Sequence, residues 1–454
     1  MRERLFSDRE FYMKLRRLTL PIALQSLMLA AVAAGDAVML GRVTQNSMAA
    51  VSLATQVQFI QNMMVSAVVG AGSVLGAQYW GKGDAKSIDD VFLIMIRASG
   101  LISLVFWAGC VFAPRFLMLA FTHDPALMEI GAAYLRIAGW SYLMTGVSQC
   151  YLTIMKVSDH AAHSAWIGSG AVIINIALNA LFIFGLLGLP ALGARGAAVA
   201  TLLARAIELS LCVAFSRRPG FIRPNWRRLL RRNRLLSLDF WKICWPMMGA
   251  ALSWGVGFTG YTAIIGHMGS DAAAANSVAA VVRDLVCCMC IGISVAGGIV
   301  VGNELGAGAL ERGKLYGERL MKLSFLIGLI SAAIVLAATP LVLWFMIMTP
   351  QARQYLAGMM AILSVYMIGR SVSTVVINGI FAAGGDTLFD IYSLAVCMWG
   401  IAVPTALIGA FALHWPVLAV YACTCLDEVG KVPWVIAHFR KYKWVRDLTR
   451  DRAG

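Results

Sequence analysis

AGSVLGAQYWGKG, residues Ala71–Gly83, meets a second version of itself in AGGIVVGNELGAG, residues Ala296–Gly308. Ala71, Gly72, Gly81 and Gly83 fall on Ala296, Gly297, Gly306 and Gly308. The offset is roughly 225 positions, and it holds without a gap toward the N-terminus, where Pro21 falls on Pro246 (246 minus 21 is 225) and Gly41 on Gly266. Ala49 and Ala50 likewise fall on Ala274 and Ala275. Later stretches repeat more loosely: Asp159 meets Asp386 at about 227, and Tyr134-Leu135 resembles Tyr355-Leu356. A self-similarity on this scale describes a chain built as two like halves.

What each half is made of follows from composition. Hydrophobic residues make up 60% of the 454 and charged residues 13%, with a mean hydropathy of +0.76. These values describe an integral membrane protein. Roughly 20 apolar residues cross a bilayer core as a helix, and about twelve such stretches can be marked. They run 16 to 40, 51 to 75, 91 to 113, 128 to 152, 164 to 187 and 194 to 215, then 242 to 266, 275 to 300, 320 to 345, 354 to 380, 389 to 412 and 416 to 438. The expected fold is an all-α membrane protein, twelve transmembrane helices in two six-helix lobes related by pseudo-twofold symmetry. Six is even, so both halves insert in the same orientation, about an axis along the membrane normal. The expected division is a lobe over 1–216, a basic cytoplasmic linker over 217–241, and a lobe over 242–454 that ends in a short basic tail.

The net charge of +15 is a matter of topology rather than nucleic acid. Arg2, Arg4, Arg9, Lys14, Arg16 and Arg17 precede the first span, and Arg440, Lys441, Lys443, Arg446 and Arg450 follow the last. Arg217, Arg218, Arg223, Arg227, Arg228, Arg231, Arg232 and Arg234 crowd the linker. All three patches are expected on the cytoplasmic side, with both termini inside, and the linker also suits anionic lipid. The loops around Thr44 to Ser47, Leu189 to Gly193, Gly266 to Asp271 and Leu413 to Pro416 carry few basic residues and are expected outside. The first apolar segment is too long for a cleaved signal peptide, holds Asp36 and lacks a small-residue cleavage site, so it stays as an anchor.

Ionisable groups at membrane depth are costly and mark function or pairing. Asp36, in LMLAAVAAGDAVMLGRV (Leu27–Val43), is the foremost. An apolar helix disfavours its ionised form, so it carries a proton that it can take up on one side and release on the other. If proton and substrate favour opposite states of a cavity, proton entry drives substrate exit at about 2.3 kcal/mol per charge per 100 mV. The competing reading is positional: Asp36 lies ~27 Å along a helix from Leu18, close to the outer interface. Arg283 and Asp284 are neighbours expected to point apart, with at least one toward the cavity. Arg370 is expected either to pair with Asp284 or to meet an anionic substrate group. Asp427 and Lys431 suit an i,i+4 pair, and Arg205 and Glu208 an i,i+3 pair. Cys287, Cys288, Cys290, Cys423 and Cys425 are taken as small packing residues, and His160 with His163 as too sparse for a metal site. Met63, Met64, Met247, Met248, Trp140, Trp254 and Trp399 either line a promiscuous pocket or face lipid and core.

In these residues the chain resembles the multidrug and toxic compound extrusion (MATE) family of secondary transporters over essentially its whole length. The resemblance rests on the Pro21 to Gly41 segment with DAVMLGRV, GAQYWGKGD (Gly76–Asp84), VGNELGAG (Val301–Gly308), YLRIAGW, INIALNALFIFG, GARGAAVAT, AAGGDT (Ala382–Thr387) and HFRKYKW. It implies export of organic cations or other amphipathic toxins in exchange for H⁺ or Na⁺. Asp36 takes the proton-coupling role under it. The chain departs from the pattern at Asn179, where many proton-coupled relatives have a carboxylate, and in its seventh span, which holds no acid for sodium and offers only Tyr261 and His267. Proton coupling is favoured and Na⁺ kept as an alternative, with Asn175 and Asn179 as hydrogen-bonding neighbours of Asp36. Substrate or cavity candidates are Asn175, Asn179, Tyr261, Arg283, Asp284 and Arg370.

Expected partners are a small cationic or amphipathic molecule and membrane lipid, with no nucleic acid, no obligate protein partner, no cofactor and no metal. The expected location is a bacterial inner membrane. A flippase for lipid or lipid-linked precursors, holding phosphate on Arg283 and Arg370, is the other transport reading. An enzyme would need a convergent nucleophile, base or metal cluster, and the sequence presents none.

Overall fold

The computed structural model describes residues 9–41, 45–188, 190–229, 233–346 and 348–450, without the side chains of 31–38, 40, 41, 45 and 187. Asp36 is therefore placed by its backbone alone, within α1 (Arg9–Gly41). Arg2, Arg4, Arg231, Arg232, Thr44 and Leu189 lie outside the described residues.

Among the described residues the chain makes twelve helical passages. After α1 come α2 (Gln45–Lys82), α3 (Ala85–Phe112), α4 (Pro125–Val157), α5 (Ala161–Phe184) and α6 (Ala194–Ser216). The second half supplies α7 (Arg234–His267), α8 (Ser270–Gly306), α9 (Leu310–Phe345), α10 (Pro350–Phe381), α11 (Leu388–Ala412) and α12, which is broken into Val417–Thr424, Leu426–Val429 and Val432–Phe439. Eight of the twelve are apolar enough over 18 residues to count as spans by composition alone. The other four, α1, α4, α7 and α12, also consist largely of apolar residues.

The helices outrun the sequence spans because the bilayer limits the apolar stretch and not the helix. The 38 residues of α2 rise ~57 Å, nearly twice a hydrocarbon core of about 30 Å. What stops α2 and α8 is glycine: Gly83 (φ 77°) and Gly308 (φ 75°) take the left-handed conformation that other residues resist. Asp84 then starts α3, its carboxylate accepting from the Ser87 N–H (3.1 Å) and the Ser87 hydroxyl (2.6 Å). Pro125 and Pro350 each stand at the first helical position behind a capping Asp124 and Thr349.

The described chain divides into two compact units. The N-terminal unit comprises Leu24–Gly76 and Asp84–Cys244, and the C-terminal unit Met1–Ala23, Ala77–Gly83 and Trp245–Gly454. Two of the division points fall beside the repeat-related Pro21 and Pro246, each inside a helix.

The N-terminal unit packs Tyr142, Leu135, Ala138 and Cys110 with Ala54 and Val57. Small residues let its backbones approach, as membrane helices require without a hydrophobic drive between them. Gly72 faces the side chain of Met95, and Gly139 faces Cys110. The linker is tied to this unit where Asn225 N–H donates to Asp89 (2.9 Å). His160 and His163 pack on Phe221 of the linker, ring centres 3.9 and 5.3 Å away.

In the C-terminal unit Gly297 faces Leu320, the counterpart of the Gly72 and Met95 pair at the same 225 offset (297 minus 72; 320 minus 95). The last eight residues of α10, Thr374–Phe381, widen into a π-helix beside α8. The Ser294 hydroxyl donates to the Thr374 carbonyl (2.8 Å) there. All ten cysteines are free thiols, nine buried and Cys423 half-buried. Phe112, Trp166, Trp344 and Phe345 are exposed, in keeping with a lipid-facing surface.

Candidate functional site

The N-terminal unit holds an open-mouthed cavity of about 660 Å³. Its polar wall comes from three helices. From α2, Ser52, Thr55, Gln58 and Asn62 recur every three or four residues and so share one helical face. From α5 comes Asn175, and from α6 come Thr201 and Arg205. Tyr134, Leu29 and Met48 are among the apolar part.

The asparagine pair belongs to a chain of hydrogen bonds. Asn179, fully buried, donates to the Asn175 side-chain oxygen (3.2 Å), and Asn175 donates to the Thr201 hydroxyl (3.4 Å), which donates to the Ala197 carbonyl (3.0 Å). Asn175 therefore lines the cavity, while Asn179 stands one turn behind it. Arg205 and Glu208 form the i,i+3 pair expected from their spacing, and Glu208 also accepts from the Ser148 hydroxyl (2.7 Å). The buried carboxylate thus holds the guanidinium at the cavity wall.

The C-terminal unit places its candidates differently from expectation. Arg283 does pair with Asp284, Nη2 to Oδ1 at 2.8 Å and Nε to Oδ1 at 2.9 Å, because a long flexible guanidinium spans the turn between adjacent positions. The same guanidinium lies 4.4 Å over the Phe258 ring. Arg370 does not reach Asp284. It pairs with Glu428 (2.5 Å) from α12 and lies 5.4 Å from the Trp254 ring. Lys431 likewise pairs with Glu428 (3.6 Å, i,i+3) and not with Asp427, because α12 breaks between Val429 and Val432 and loses the regular i,i+4 register. Asp427 instead lines a small cavity with Tyr261, Thr424 and Arg283. It is 2% exposed, and neither its Oδ1 nor the Tyr261 hydroxyl has a hydrogen-bond partner among the described residues.

Sequence reasoning misses Glu428 as the shared anion of this cluster, because spacing reveals pairs within one helix and Arg370 stands 58 residues away. It also misses the α2 face, although the spacing of Ser52, Thr55, Gln58 and Asn62 is visible in the sequence. Of the methionines and tryptophans named above, Trp254 lines the small cavity, and Trp399 donates to the Ser253 hydroxyl (2.8 Å). No group of three or more histidine, cysteine, aspartate or glutamate side chains able to hold a metal occurs among the described residues.

Comparison with known proteins places this architecture. The MatE family model matches residues 21–181 and 246–408, one stretch in each half of the repeat. The chain is 25% identical to the uncharacterized transporter YisQ of Bacillus subtilis over 94% of both chains. It is also 25% identical to the probable multidrug resistance protein NorM of Bradyrhizobium diazoefficiens, covering 87% of this chain and 86% of the relative. Among solved structures, a MOP superfamily transporter from Pyrococcus furiosus superposes with a TM-score of 0.86 at 17% identity over 97% of both chains. An outward-facing MATE family transporter superposes at 0.84 and 17% identity, covering 95% of this chain and 96% of that one. These likenesses establish a shared fold, and the match across both halves of the repeat shows that the chain belongs to the MatE family of multi-pass membrane transporters.

Proposed function

We propose that the protein is a secondary active transporter that exports small amphipathic or cationic compounds in exchange for protons across a bacterial inner membrane. The reading takes both termini as cytoplasmic and the lobes as residues 1–216 and 242–454, joined by 217–241. The observation that carries it is the cavity of about 660 Å³ in a membrane-spanning unit, lined by amides, hydroxyls and a paired guanidinium together with apolar side chains. Such a wall suits an amphipathic guest, since polar groups fix orientation and apolar ones supply most of the contact. Relatives named as multidrug resistance proteins support it.

In this reading Asp36 is the coupling carboxylate and the chain from Asn179 through Asn175 to Thr201 is the hydrogen-bonded ground beside it. Alternating access then exchanges one proton inward for substrate outward. The test is uptake of ethidium by proteoliposomes under an imposed pH gradient, comparing wild type with Asp36→Asn. Proton-driven uptake that the variant loses is the expected outcome, and undiminished uptake by the variant removes Asp36 from the mechanism.

Sodium coupling keeps one observation in its favour. The acid missing from the seventh span is supplied from α12, because Asp427 lines a cavity with Tyr261. Sodium-driven uptake that survives in Asp36→Asn and is lost in Asp427→Asn favours this reading. The flippase alternative loses support, since each guanidinium it relied on is already matched by a carboxylate, Arg283 by Asp284 and Arg370 by Glu428.

A further inference from the structure

We propose that residues 442–450 form a strap that clasps the last turn of α2 and lets go of it once in every transport cycle. The inference rests on the transporter reading above.

The clasp centres on Gln78, a fully buried amide near the end of an apolar helix. Its Nε2 donates to the carbonyls of Ala383 (2.7 Å) and Arg446 (3.1 Å), and its Oε1 accepts from the Leu448 N–H (2.6 Å). Lys82 Nζ donates to the Thr449 hydroxyl (3.2 Å), and Arg450 N–H to the Tyr79 hydroxyl (3.3 Å). Three side chains near the end of α2 thus reach four residues of the strap, Arg446, Leu448, Thr449 and Arg450.

The strap is fastened differently at its other end. Trp444 is fully buried, its ring over Gly317 and its carbonyl against Gly384, where any Cβ would collide. Next to it Gly385 (φ 76°) faces Leu448. The glycines of AAGGDT thus make the bed for the tryptophan that closes HFRKYKW. Tyr442 donates to Glu318 (2.7 Å) and His438 is paired with Asp386 (2.7 Å). The anchor is therefore buried aromatic packing onto α9 and the Ala382–Thr387 turn, whereas the hold on α2 is made of hydrogen bonds that water can replace at small net cost.

That asymmetry sets which end opens. Gln45–Gly76 of α2 belongs to the N-terminal unit and Ala77–Lys82 to the C-terminal unit, yet α2 is one uninterrupted helix with no internal proline. If it moves as a rod with its longer part, its last turn must leave the strap. The strap stays behind on its tryptophan anchor.

The test joins Lys82→Cys to Thr449→Cys with a short bifunctional methanethiosulfonate reagent and follows ethidium transport in proteoliposomes, wild type receiving the same treatment to control for native thiols. Linkage is verified by mass spectrometry. The expected result is a fall of about tenfold or more in the linked protein, recovered on reduction, because gating steps limit turnover. Transport by the linked protein at the unlinked rate overturns the proposal. A second readout needs no transport: Gln78→Leu should speed tryptic cleavage at Arg446 and Arg450 by about tenfold in a protein that still elutes as a folded species, since cleavage tracks the open population. Unchanged cleavage overturns the role of Gln78. If neither wild type nor the reduced double variant moves ethidium, the transporter reading fails, and the cleavage assay still reports on the strap.

Discussion

Gly81 and Gly306 stand at the same position of the two repeats, and each lies against the helix that carries the other. A Cβ on Gly306 would fall well inside 3.0 Å of the Gln78 carbonyl oxygen, and one on Gly81 well inside 3.0 Å of the Asn303 carbonyl oxygen. Gln78 and Asn303 are themselves repeat partners, since 306 minus 81 and 303 minus 78 both give 225. With its amide nitrogen turned toward the carbonyls, Asn303 donates to Ala77 (2.8 Å) and Ile299 (3.2 Å). Gly306→Ala should therefore force the helix ends apart and cost about 1–3 kcal/mol, as overpacking does. Thermal unfolding in detergent measures this. Gly170→Ala, where a Cβ meets nothing within 4 Å inside a helix, should hold the midpoint or raise it slightly.

Neutralising Glu428 should be among the most damaging single changes in the C-terminal unit. The side chain is 2% exposed and serves both Arg370 and Lys431, so Glu428→Gln strands two cations that the interior cannot solvate. Breaking a buried pair costs roughly 3–5 kcal/mol, and replacing all three members by methionine or leucine should recover much of it. Equal midpoints for Glu428→Gln and wild type would refute the account.

Filling the cavity should separate transport from folding. Thr55→Trp projects an indole into the space of about 660 Å³ from a half-buried position on α2, where the lost hydroxyl bonds only to the Ser52 carbonyl of its own helix. Ethidium transport should fall by about tenfold or more while the unfolding midpoint stays near wild type, because the cavity accepts the ring without a clash and the ring then occupies the space a guest would need. A variant that transports normally would place the substrate elsewhere.

The tail carries a titration of its own. Hydrogen bonding to Glu318 holds the Tyr442 hydroxyl protonated and pushes it up to about 12, from an ordinary value of 10. A group raised in the folded state lends its stability below the unfolded value and loses it as pH climbs through the folded one. Wild type should thus lose its advantage over Tyr442→Phe between pH 10 and about 12, as followed by thermal unfolding across that range. A difference that stays constant over the range would show that the hydroxyl does no pH-dependent work.

The fold was legible because two independent regularities agree. Apolar runs long enough to cross a bilayer count helices, and the alignment of Gly72, Gly81 and Gly83 with Gly297, Gly306 and Gly308 divides them. The site was legible only in part. Arg205 with Glu208 could be read from spacing because both sit on one unbroken helix, whereas Arg370 with Glu428 joins residues 58 apart. Spacing on a continuous α12 pairs Lys431 with Asp427, and the break after Val429 gives it to Glu428 instead. Gln78 shows the remaining difficulty: its partners are backbone groups of Ala383, Arg446 and Leu448, and a backbone partner leaves no trace in side-chain spacing.

The glycine crossing also bears on ancestry. In a half-length precursor the two glycines would be one residue, and a contact that now joins position 81 to 303 and 306 to 78 would join two copies of the same peptide across a true twofold axis. The copies differ in this chain: where one carries Gln78, clasping the tail, the other carries Asn303, one methylene shorter and bonded to the neighbouring helix. At equivalent places of the repeat, one amide holds the tail and the other its neighbouring helix.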